Sequence, residues 1–197
     1  MDALFDSLQA HLASRPPKAV HLPGLVLRES AVLVPLLVRE GALHILFTKR
    51  PTTLRHHAGQ YSFPGGSRDP EDVTPLHTAL RETQEELGID VSGVRVLGAL
   101  DEVPTLTEFR IQPFVGVLPP GAQYRPSPDE VELILEVPLL HLMDPAIRRT
   151  ETRSLRGYDY EVDFYTYGSH TIWGATGRIL RNLLGLAAGL PGFNRTP

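Results

Sequence analysis

Apolar residues recur with two different spacings along the chain, and each spacing predicts one kind of element. Over residues 2–14 they recur every three or four positions, which predicts an amphipathic helix that ends before Pro16. Residues 31–38 and 43–49 are dense in Val, Leu, Ile and Phe, and the turn-forming Gly41 lies between them. This pattern predicts two strands joined as a hairpin.

The second half of the chain carries further strand-like runs and one more helical pattern. The runs lie at 94–100, 111–118, 131–137 and 159–166. The helical pattern starts at about Ile172 and places its leucines on one face. Helices interspersed among strands at these intervals predict a layered α/β fold with a mixed sheet. We expect one domain over residues 1–197, because a chain of this length suits a single core.

A polar stretch separates the predicted hairpin from a strongly marked helix. Residues 50–74 are rich in glycine and proline, and a loop of this length in a compact fold is usually functional. Thr74 and Pro75 form the N-cap and first-turn signal of a helix, and Gly88 is the residue type that ends one. The sequence therefore predicts a functional loop that leads into a helix over residues 75–87.

Composition and charge narrow the possible classes of function. The 197 residues include 19 Lys and Arg against 23 Asp and Glu, a formal charge of −4, which disfavours nucleic acid as a partner. Cysteine is absent, so disulfides, thiol nucleophiles and thiolate metal sites are excluded. The acidic N-terminus and the lack of a roughly 20-residue apolar run predict a cytoplasmic protein with no membrane partner. The oligomeric state is left open.

Three glutamates share one face of the predicted helix over 75–87. Glu82, Glu85 and Glu86 are neighbours there because spacings of three and four place side chains side by side. The opposite face carries residues that suit a core: Leu76, Ala79, Leu80 and Leu87. The acidic face is either solvated or a site for Mg²⁺ or Mn²⁺, which prefer hard oxygen ligands. The glycine turn over residues 63–66 favours the second interpretation, because a backbone carbonyl of this turn could reach the same ion and glycine permits such a close approach.

Residues 66–89 resemble the Nudix box, whose pattern is G-x5-E-x7-R-E-U-x-E-E-x-G-U. Residues 81–89 read R-E-T-Q-E-E-L-G-I, so the closing part is intact except that a threonine stands at an aliphatic position. The interval from Gly66 to Arg81 is one residue longer than the pattern. The first acidic position therefore falls on Asp72 in direct count and on Val73 when counted back from Arg81.

This resemblance implies a Nudix α/β/α sandwich and a metal-dependent hydrolase that acts on nucleoside diphosphates linked to another group. It implies Mg²⁺ or Mn²⁺ as cofactor, with Glu82, Glu85 and Glu86 as ligands and the Gly66 carbonyl as a further one. Arg81 belongs to the same catalytic motif. The group that activates water is left open between these glutamates and one from a later loop.

The loop before the box carries a second resemblance. Lys49, Arg50, Arg55 and Arg68 surround the glycine turn, and arginine can bind phosphate through two hydrogen bonds. Residues 46–66 are similar to the motif L-L-T-x-R-(S/A)-x3-R-x3-G-x3-F-P-G-G of the coenzyme A diphosphatase branch of the Nudix hydrolases. Two positions of this chain depart from it, Phe47 and Pro51.

The second resemblance implies cleavage of the pyrophosphate of coenzyme A, or of its thioesters, to 3′,5′-ADP and 4′-phosphopantetheine or the acylated form. Arg50 and Arg55 are expected to bind phosphate, with Arg68 and Lys49 in support. One alternative is the same chemistry on another nucleoside diphosphate derivative, such as a dinucleotide or an oxidised nucleotide. Another is a non-catalytic Nudix binding module, which the presence of all three box glutamates disfavours.

Several other residues allow two interpretations each. Glu130, which precedes an apolar strand, is either a base near the metal or a solvated loop residue. His57 either contacts the 3′-phosphate or is simply exposed. Trp173 either belongs to the core or lines a pantetheine pocket. The tyrosines between 158 and 167 form either one face of a sheet or part of a dimer contact.

Overall fold

The described residues form four helices and eleven strands. The computed structural model describes residues 1–22, 24–54, 57–155, 158–190 and 193. The helices are α1 (Asp2–Ala13), α2 (Pro75–Leu87), α3 (Leu139–Leu142) and α4 (Gly174–Ala187). The strands are β1 (Arg28–Arg39), β2 (Ala42–Lys49), β3 (Tyr61–Ser62), β4 (Gly65–Ser67), β5 (Arg95–Ala99), β6 (Val103–Pro104), β7 (Phe109–Val117), β8 (Leu133–Pro138), β9 (Arg148–Leu155), β10 (Tyr158–Tyr167) and β11 (His170–Trp173).

The main sheet is built around β1. This strand runs antiparallel to β2 and parallel to β7, so the sheet is mixed, as predicted. The backbone order is β3-β2-β1-β7-β5, and β8 pairs with β2, β4 with β1 and β6 with β7. Glu40 and Gly41 both adopt positive φ angles, 50° and 80°, at the turn of the predicted β1–β2 hairpin. The hairpin is therefore confirmed.

Helices cover both faces of the main sheet. On one face α2 packs over a small core that includes Leu33 and Leu37 of β1. On the other face α1 and α4 contribute to a larger core, which includes Leu8 and Leu180. Because β1 is covered on both sides, its sequence is almost continuously apolar rather than alternating. The layers form the expected α/β/α sandwich. None of the described helices is long and apolar enough to span a membrane.

A second sheet, of β9, β10 and β11, packs against α4. Asp163 of β10 is buried beneath this helix and accepts hydrogen bonds from Arg148 at 2.8 Å and Thr150 at 3.0 Å. Its other carboxylate oxygen lies 3.2 Å from Arg181 of α4. A Cβ atom at Gly177 would lie only 2.6 Å from the Asp163 carbonyl oxygen. The close contact between α4 and β10 therefore requires glycine at this position.

Two hydrogen bonds join the C-terminal elements to the strand that precedes the glycine turn. The hydroxyl of Tyr61 in β3 lies 2.5 Å from Nδ1 of His170 in β11. The hydroxyl of Thr176 in α4 donates to the Tyr61 carbonyl at 3.1 Å. The second sheet and α4 thus help to fix the backbone of β3.

The helix predicted from about residue 172 begins two residues later, at Gly174. The reason is that residues 170–173 pair with β10 as β11. The polar stretch over residues 50–74 also contains the short strands β3 and β4, which were not predicted. The N-terminal helix ends at Ala13, one residue before the expected end.

Strand β9 was missed because its sequence, RRTETRSL, has almost no apolar residues. It is the edge strand of the second sheet, and charged side chains are typical of edges. The tyrosines of β10 do not share one face, because Tyr160 and Tyr165 are an odd number of residues apart. Tyr165 is buried towards the core, whereas Trp173 is half-buried and stacks on Phe164, with ring centroids 5.9 Å apart.

Two glycines in α4 give a matched test of its packing. We expect Gly177→Ala to destabilise the protein by about 1–3 kcal/mol, because the new methyl group overpacks the contact with β10. We expect Gly185→Ala to stabilise it by about 0.5–1 kcal/mol, since that position is open and alanine favours the helix. Thermal unfolding should therefore give a lower Tm for the first variant and a higher Tm for the second. Equal shifts in one direction would contradict the close contact at Gly177.

Candidate active site

Local sequence signals position α2 and its glutamates. The Thr74 hydroxyl caps the helix by accepting a hydrogen bond from the His77 amide at 3.1 Å, and Pro75 occupies the first turn. Gly88 ends the helix with a left-handed φ of 64°. The predicted boundaries of this helix are confirmed at both ends.

The three glutamates of α2 have very different surroundings. The side chain of Glu85 is 54% exposed, Glu82 is half-buried, and Glu86 is only 5% exposed. The acidic face is therefore not a uniformly solvated surface. Of the three glutamates, Glu86 alone is buried, on the side where the helix packs against β1 and β4.

The carboxylate of Glu86 is held by two donors. The Thr48 hydroxyl donates to Oε2 at 3.3 Å, and the Gly65 amide donates to Oε1 at 3.4 Å. Burial raises the pKa of Glu86 to about 8, and the negative charges of Glu130 and Glu82 act in the same direction. A carboxyl group this strongly perturbed beside other acidic groups is typical of a functional site.

The glycine turn lies directly against Glu82. A Cβ atom at Gly66 would come within 2.4 Å of Glu82 Oε1, so a larger residue would displace this carboxylate. Gly65 has a φ of 152° and also leaves no room for a side chain, because its Cβ would meet the Ala31 carbonyl at 2.4 Å. Burial raises the pKa of Glu82 as well. The turn therefore places the Gly66 backbone beside a partly desolvated carboxylate.

Arg81 binds carboxylates on three sides. Its guanidinium lies 2.9 Å from Asp72 Oδ2, 3.0 Å from Glu82 Oε1 and 2.9 Å from Glu85 Oε2. The pairing with Arg81 holds the pKa of the buried Asp72 well below its usual range. Val73, the other candidate for the first acidic position of the box, is 81% exposed. The direct count, which falls on Asp72, identifies the residue that pairs with Arg81.

The loop that carries Glu130 is fastened to the end of α2. The Ser127 amide donates to the Glu86 carbonyl at 3.0 Å, and the Arg125 amide donates to the Leu87 carbonyl at 2.8 Å. Glu130 itself is exposed, and its charge raises the pKa of both Glu82 and Glu86. The structure therefore brings Glu130 to the same acidic group as the two less exposed box glutamates.

The four basic residues of the loop are not equivalent. Lys49 pairs with Glu132 at 2.5 Å, and Arg68 pairs with Glu29 at 2.6 Å. Arg50 is half-buried, and its Nε atom is buried without a hydrogen-bond partner among the described residues. Arg55 lies outside the described residues.

His57 belongs to the turn at the tip of this loop. Its φ is 56°, and its Nδ1 atom lies 2.9 Å from Gln60 Oε1, while the side chain is exposed. The backbone of Arg50 closes the base of the same loop, because its amide donates to Gln60 and its carbonyl accepts from Gly59. The loop thus holds its shape through its own backbone and leaves the Arg50 side chain to other partners.

Glu82, Glu86 and the Gly66 carbonyl are the groups best placed to hold a divalent cation. They supply hard oxygen donors, and the Glu82 carboxylate lies so close to Gly66 that a Cβ there would come within 2.4 Å of Oε1. Glu85 turns away towards Arg81. In the part of the chain that the structure describes, no three acidic or histidine side chains already form a complete metal site.

Sequence reasoning assigned no chemical role to two side chains near Glu86. The Thr48 and Ser62 hydroxyls lie 3.2 Å apart, and Thr48 contacts Glu86. The available signal was strand alternation, because a polar residue at an inward position of an apolar strand must find a buried partner.

Comparison with known proteins agrees with this geometry. A family model described as NUDIX domain matches residues 27–156. The chain is 41% identical over 156 residues to a protein of Photorhabdus laumondii named "Uncharacterized Nudix hydrolase NudL", covering 79% of this chain and 83% of that protein. It is 39% identical over 180 residues to a protein of the same name from Klebsiella pneumoniae strain 342, covering 91% and 92%.

Solved structures share the fold at low identity. A Caenorhabditis elegans Ap4A hydrolase complex ("C. elegans Ap4A Hydrolase Binary Complex") superposes with a TM-score of 0.50 at 19% identity, over 56% of this chain and 80% of that one. A "MutT/nudix family protein" from Enterococcus faecalis superposes with a TM-score of 0.51 at 16% identity, over 83% and 63%. Together with the family model and the relatives, these likenesses show that the chain belongs to the Nudix hydrolases.

Proposed function

We propose that this protein is a Mg²⁺- or Mn²⁺-dependent diphosphatase that cleaves the pyrophosphate of coenzyme A. The products are 3′,5′-ADP and 4′-phosphopantetheine, or the acylated form when the substrate is a thioester. The observation that carries the proposal is the position of Arg50, an arginine whose Nε has no described partner, two residues beyond the Thr48 that contacts Glu86. Thr48, which contacts a proposed cation ligand, and Arg50, which is proposed to bind phosphate, thus lie two residues apart at the end of β2.

The glutamates near the scissile bond have two separate roles, cation binding and proton acceptance. Glu82 and Glu86 would hold the cation, with the Gly66 carbonyl as a further ligand. A bound Mg²⁺ or Mn²⁺ neutralises diphosphate charge and lowers the pKa of a water molecule at the site. Glu130, whose loop is fastened to the end of α2, accepts the proton of that water. Water adds to one phosphorus atom, the bond from that phosphorus to the bridging oxygen breaks, and two phosphate monoesters result.

Arg50 supplies the positive charge that the substrate needs. Lys49 and Arg68 are already paired with glutamates, whereas the Nε atom of Arg50 has no partner among the described residues, and arginine can form paired hydrogen bonds to a phosphate. Arg81 pairs with four carboxylates, those of Asp69, Asp72, Glu82 and Glu85, and in this proposal it keeps α2 and its glutamates in place and does not contact substrate. The upstream motif over residues 46–66 supports coenzyme A over other diphosphates.

Incubation of the full chain with coenzyme A and either cation tests the proposal, with chromatographic separation of the products. We expect 3′,5′-ADP and 4′-phosphopantetheine in equal amounts. A dinucleotide and an oxidised nucleotide serve as competing substrates in parallel. Intact coenzyme A alongside a cleaved competitor would refute the substrate assignment. Cation binding without cleavage of any of them would indicate a non-catalytic module.

Glu86→Gln should abolish turnover while preserving the fold. We expect activity to fall by at least about 100-fold, because a cation ligand is lost.

The apo protein gives a second readout, since the pKa of Glu86 is raised to about 8 and the folded state retains a proton that the unfolded state releases near pH 4.5. The wild-type Tm should therefore fall as pH rises through this interval, and the variant should lack that part of the fall. Identical pH profiles of Tm would contradict the buried, protonated Glu86.

Arg50→Ala should weaken substrate binding. We expect KM for coenzyme A to rise about 10- to 100-fold, which corresponds to a lost charged hydrogen bond of about 1.5–3 kcal/mol. Arg50→Lys should recover only part of the loss, because lysine lacks the two-pronged geometry. Arg95→Ala is the control, since Arg95 pairs with Asp6 of α1 at 2.6 Å, outside the candidate site. Equal KM values for wild type and Arg50→Ala would exclude Arg50 from the phosphate site.

A further inference from the structure

Strand β2 carries one buried hydroxyl among apolar neighbours. Thr48 is only 1% exposed, and the two residues before it, Leu46 and Phe47, are completely buried and apolar. A valine would fill nearly the same volume at this position, so packing alone does not require a hydroxyl. Burial of an unpaired hydroxyl is costly, whereas a hydrogen-bonded one is tolerated.

The Thr48 hydroxyl connects two strands to the buried carboxylate. It lies 3.3 Å from Glu86 Oε2, 3.2 Å from Ser62 Oγ and 3.4 Å from the Ser62 carbonyl. When the Ser62 hydroxyl donates to Thr48, the single proton of Thr48 is free for Glu86. The Gly65 amide holds the other carboxylate oxygen at 3.4 Å. Two hydrogen-bond donors from different segments, the Thr48 hydroxyl and the Gly65 amide, thus hold the two carboxylate oxygens of Glu86.

We infer that Thr48 is a positioning residue, which orients the Glu86 carboxylate towards the cation and is itself oriented by Ser62. This inference rests on the proposed function, because it concerns the same cation site. Side chains that orient a metal ligand are nearly as important as the ligand, and their loss lowers metal affinity or activity about 10- to 100-fold. The pairing of Thr48 with Ser62 in the β2–β3 ladder keeps the two hydroxyls in register.

Hydrogen bonds from the C-terminal elements β11 and α4 also hold β3, the strand that carries Ser62. Tyr61, the residue before Ser62, is held by His170 and Thr176. The backbone of β3 is therefore fixed from the side opposite to β2. This arrangement leaves the Ser62 hydroxyl little freedom to move away from Thr48.

Three variants and one control test the inference in the full-length protein. Thr48→Val removes the hydroxyl at constant volume, Thr48→Ser keeps it, and Ser62→Ala removes its support. Thr83→Val is the matched control, because Thr83 is a completely buried threonine of α2 whose hydroxyl donates to the Ala79 carbonyl at 2.6 Å and not to Glu86. Mn²⁺ affinity is measured by titration calorimetry, together with kcat, KM and Tm.

We expect Thr48→Val to lower Mn²⁺ affinity and kcat by about 10- to 100-fold, with KM for coenzyme A little changed. Thr48→Ser should retain Mn²⁺ affinity and kcat within about threefold of the wild type. Ser62→Ala should give values between those of Thr48→Val and Thr48→Ser. Thr83→Val should match the wild type in both affinity and kcat.

Wild-type Mn²⁺ affinity in Thr48→Val would overturn the inference. Should that variant fail to fold, wild-type affinity in Ser62→Ala would overturn it equally. Failure of the proposed function is a separate outcome, in which the wild-type protein itself neither binds Mn²⁺ nor cleaves a diphosphate.

Discussion

The carboxylate of Glu86 is almost completely shielded from water between α2 and β2. This burial has a cost in free energy, and the neighbouring residues determine how much of that cost is offset. Burial penalises the charged form, and two hydrogen bonds of 3.3–3.4 Å offset only part of the penalty. Glu82 and Glu130 add negative charge instead of relieving it. A bound cation would reverse the preference of Glu86 for its protonated form, because a positive charge favours the ionised carboxylate.

Arg81 separates the acidic residues of the region into two groups. It neutralises Asp72 and Glu85 and touches Glu82, so that this part of the site is satisfied within the protein. Within the described part of the chain, no cationic side chain pairs with Glu86 or Glu130, and Glu82 pairs with Arg81 alone. On the adjacent strand end the Nε of Arg50 lacks a partner among the described residues. A complex of a divalent cation with a diphosphate complements both sets of charges at once, which is why we favour it as the ligand.

Local signals made α2 predictable, because its caps, its proline and its terminal glycine all act within a few residues. The β1–β2 hairpin was predictable for the same reason. Strand β9 was not, since its sequence lacks the apolar alternation that indicates a strand, although it pairs with the neighbouring strand β10. Helix α4 was predicted two residues too early, because an apolar run over 172–173 does not reveal that it pairs with β10.

The candidate site likewise has features that could be predicted from the sequence and features that could not. Helical spacing placed the three glutamates on one face, and the family pattern directed attention to Gly66. The burial of Glu86 alone and its contact with Thr48 arise from packing between segments 38 residues apart, and the spacing within either segment does not identify the partner. The pairing of Glu85 with Arg81 differs, because its i, i+4 spacing is visible in the sequence.

The most direct test of the account is a crystal of the full chain soaked in Mn²⁺, with anomalous scattering recorded at the manganese edge. The account predicts a peak between the carboxylates of Glu82 and Glu86, within about 2.0–2.6 Å of their oxygens, and beside the Gly66 carbonyl. A peak at another acidic pair, such as Glu29 and Glu102, which both pair with Arg110, with none at Glu86, would contradict it.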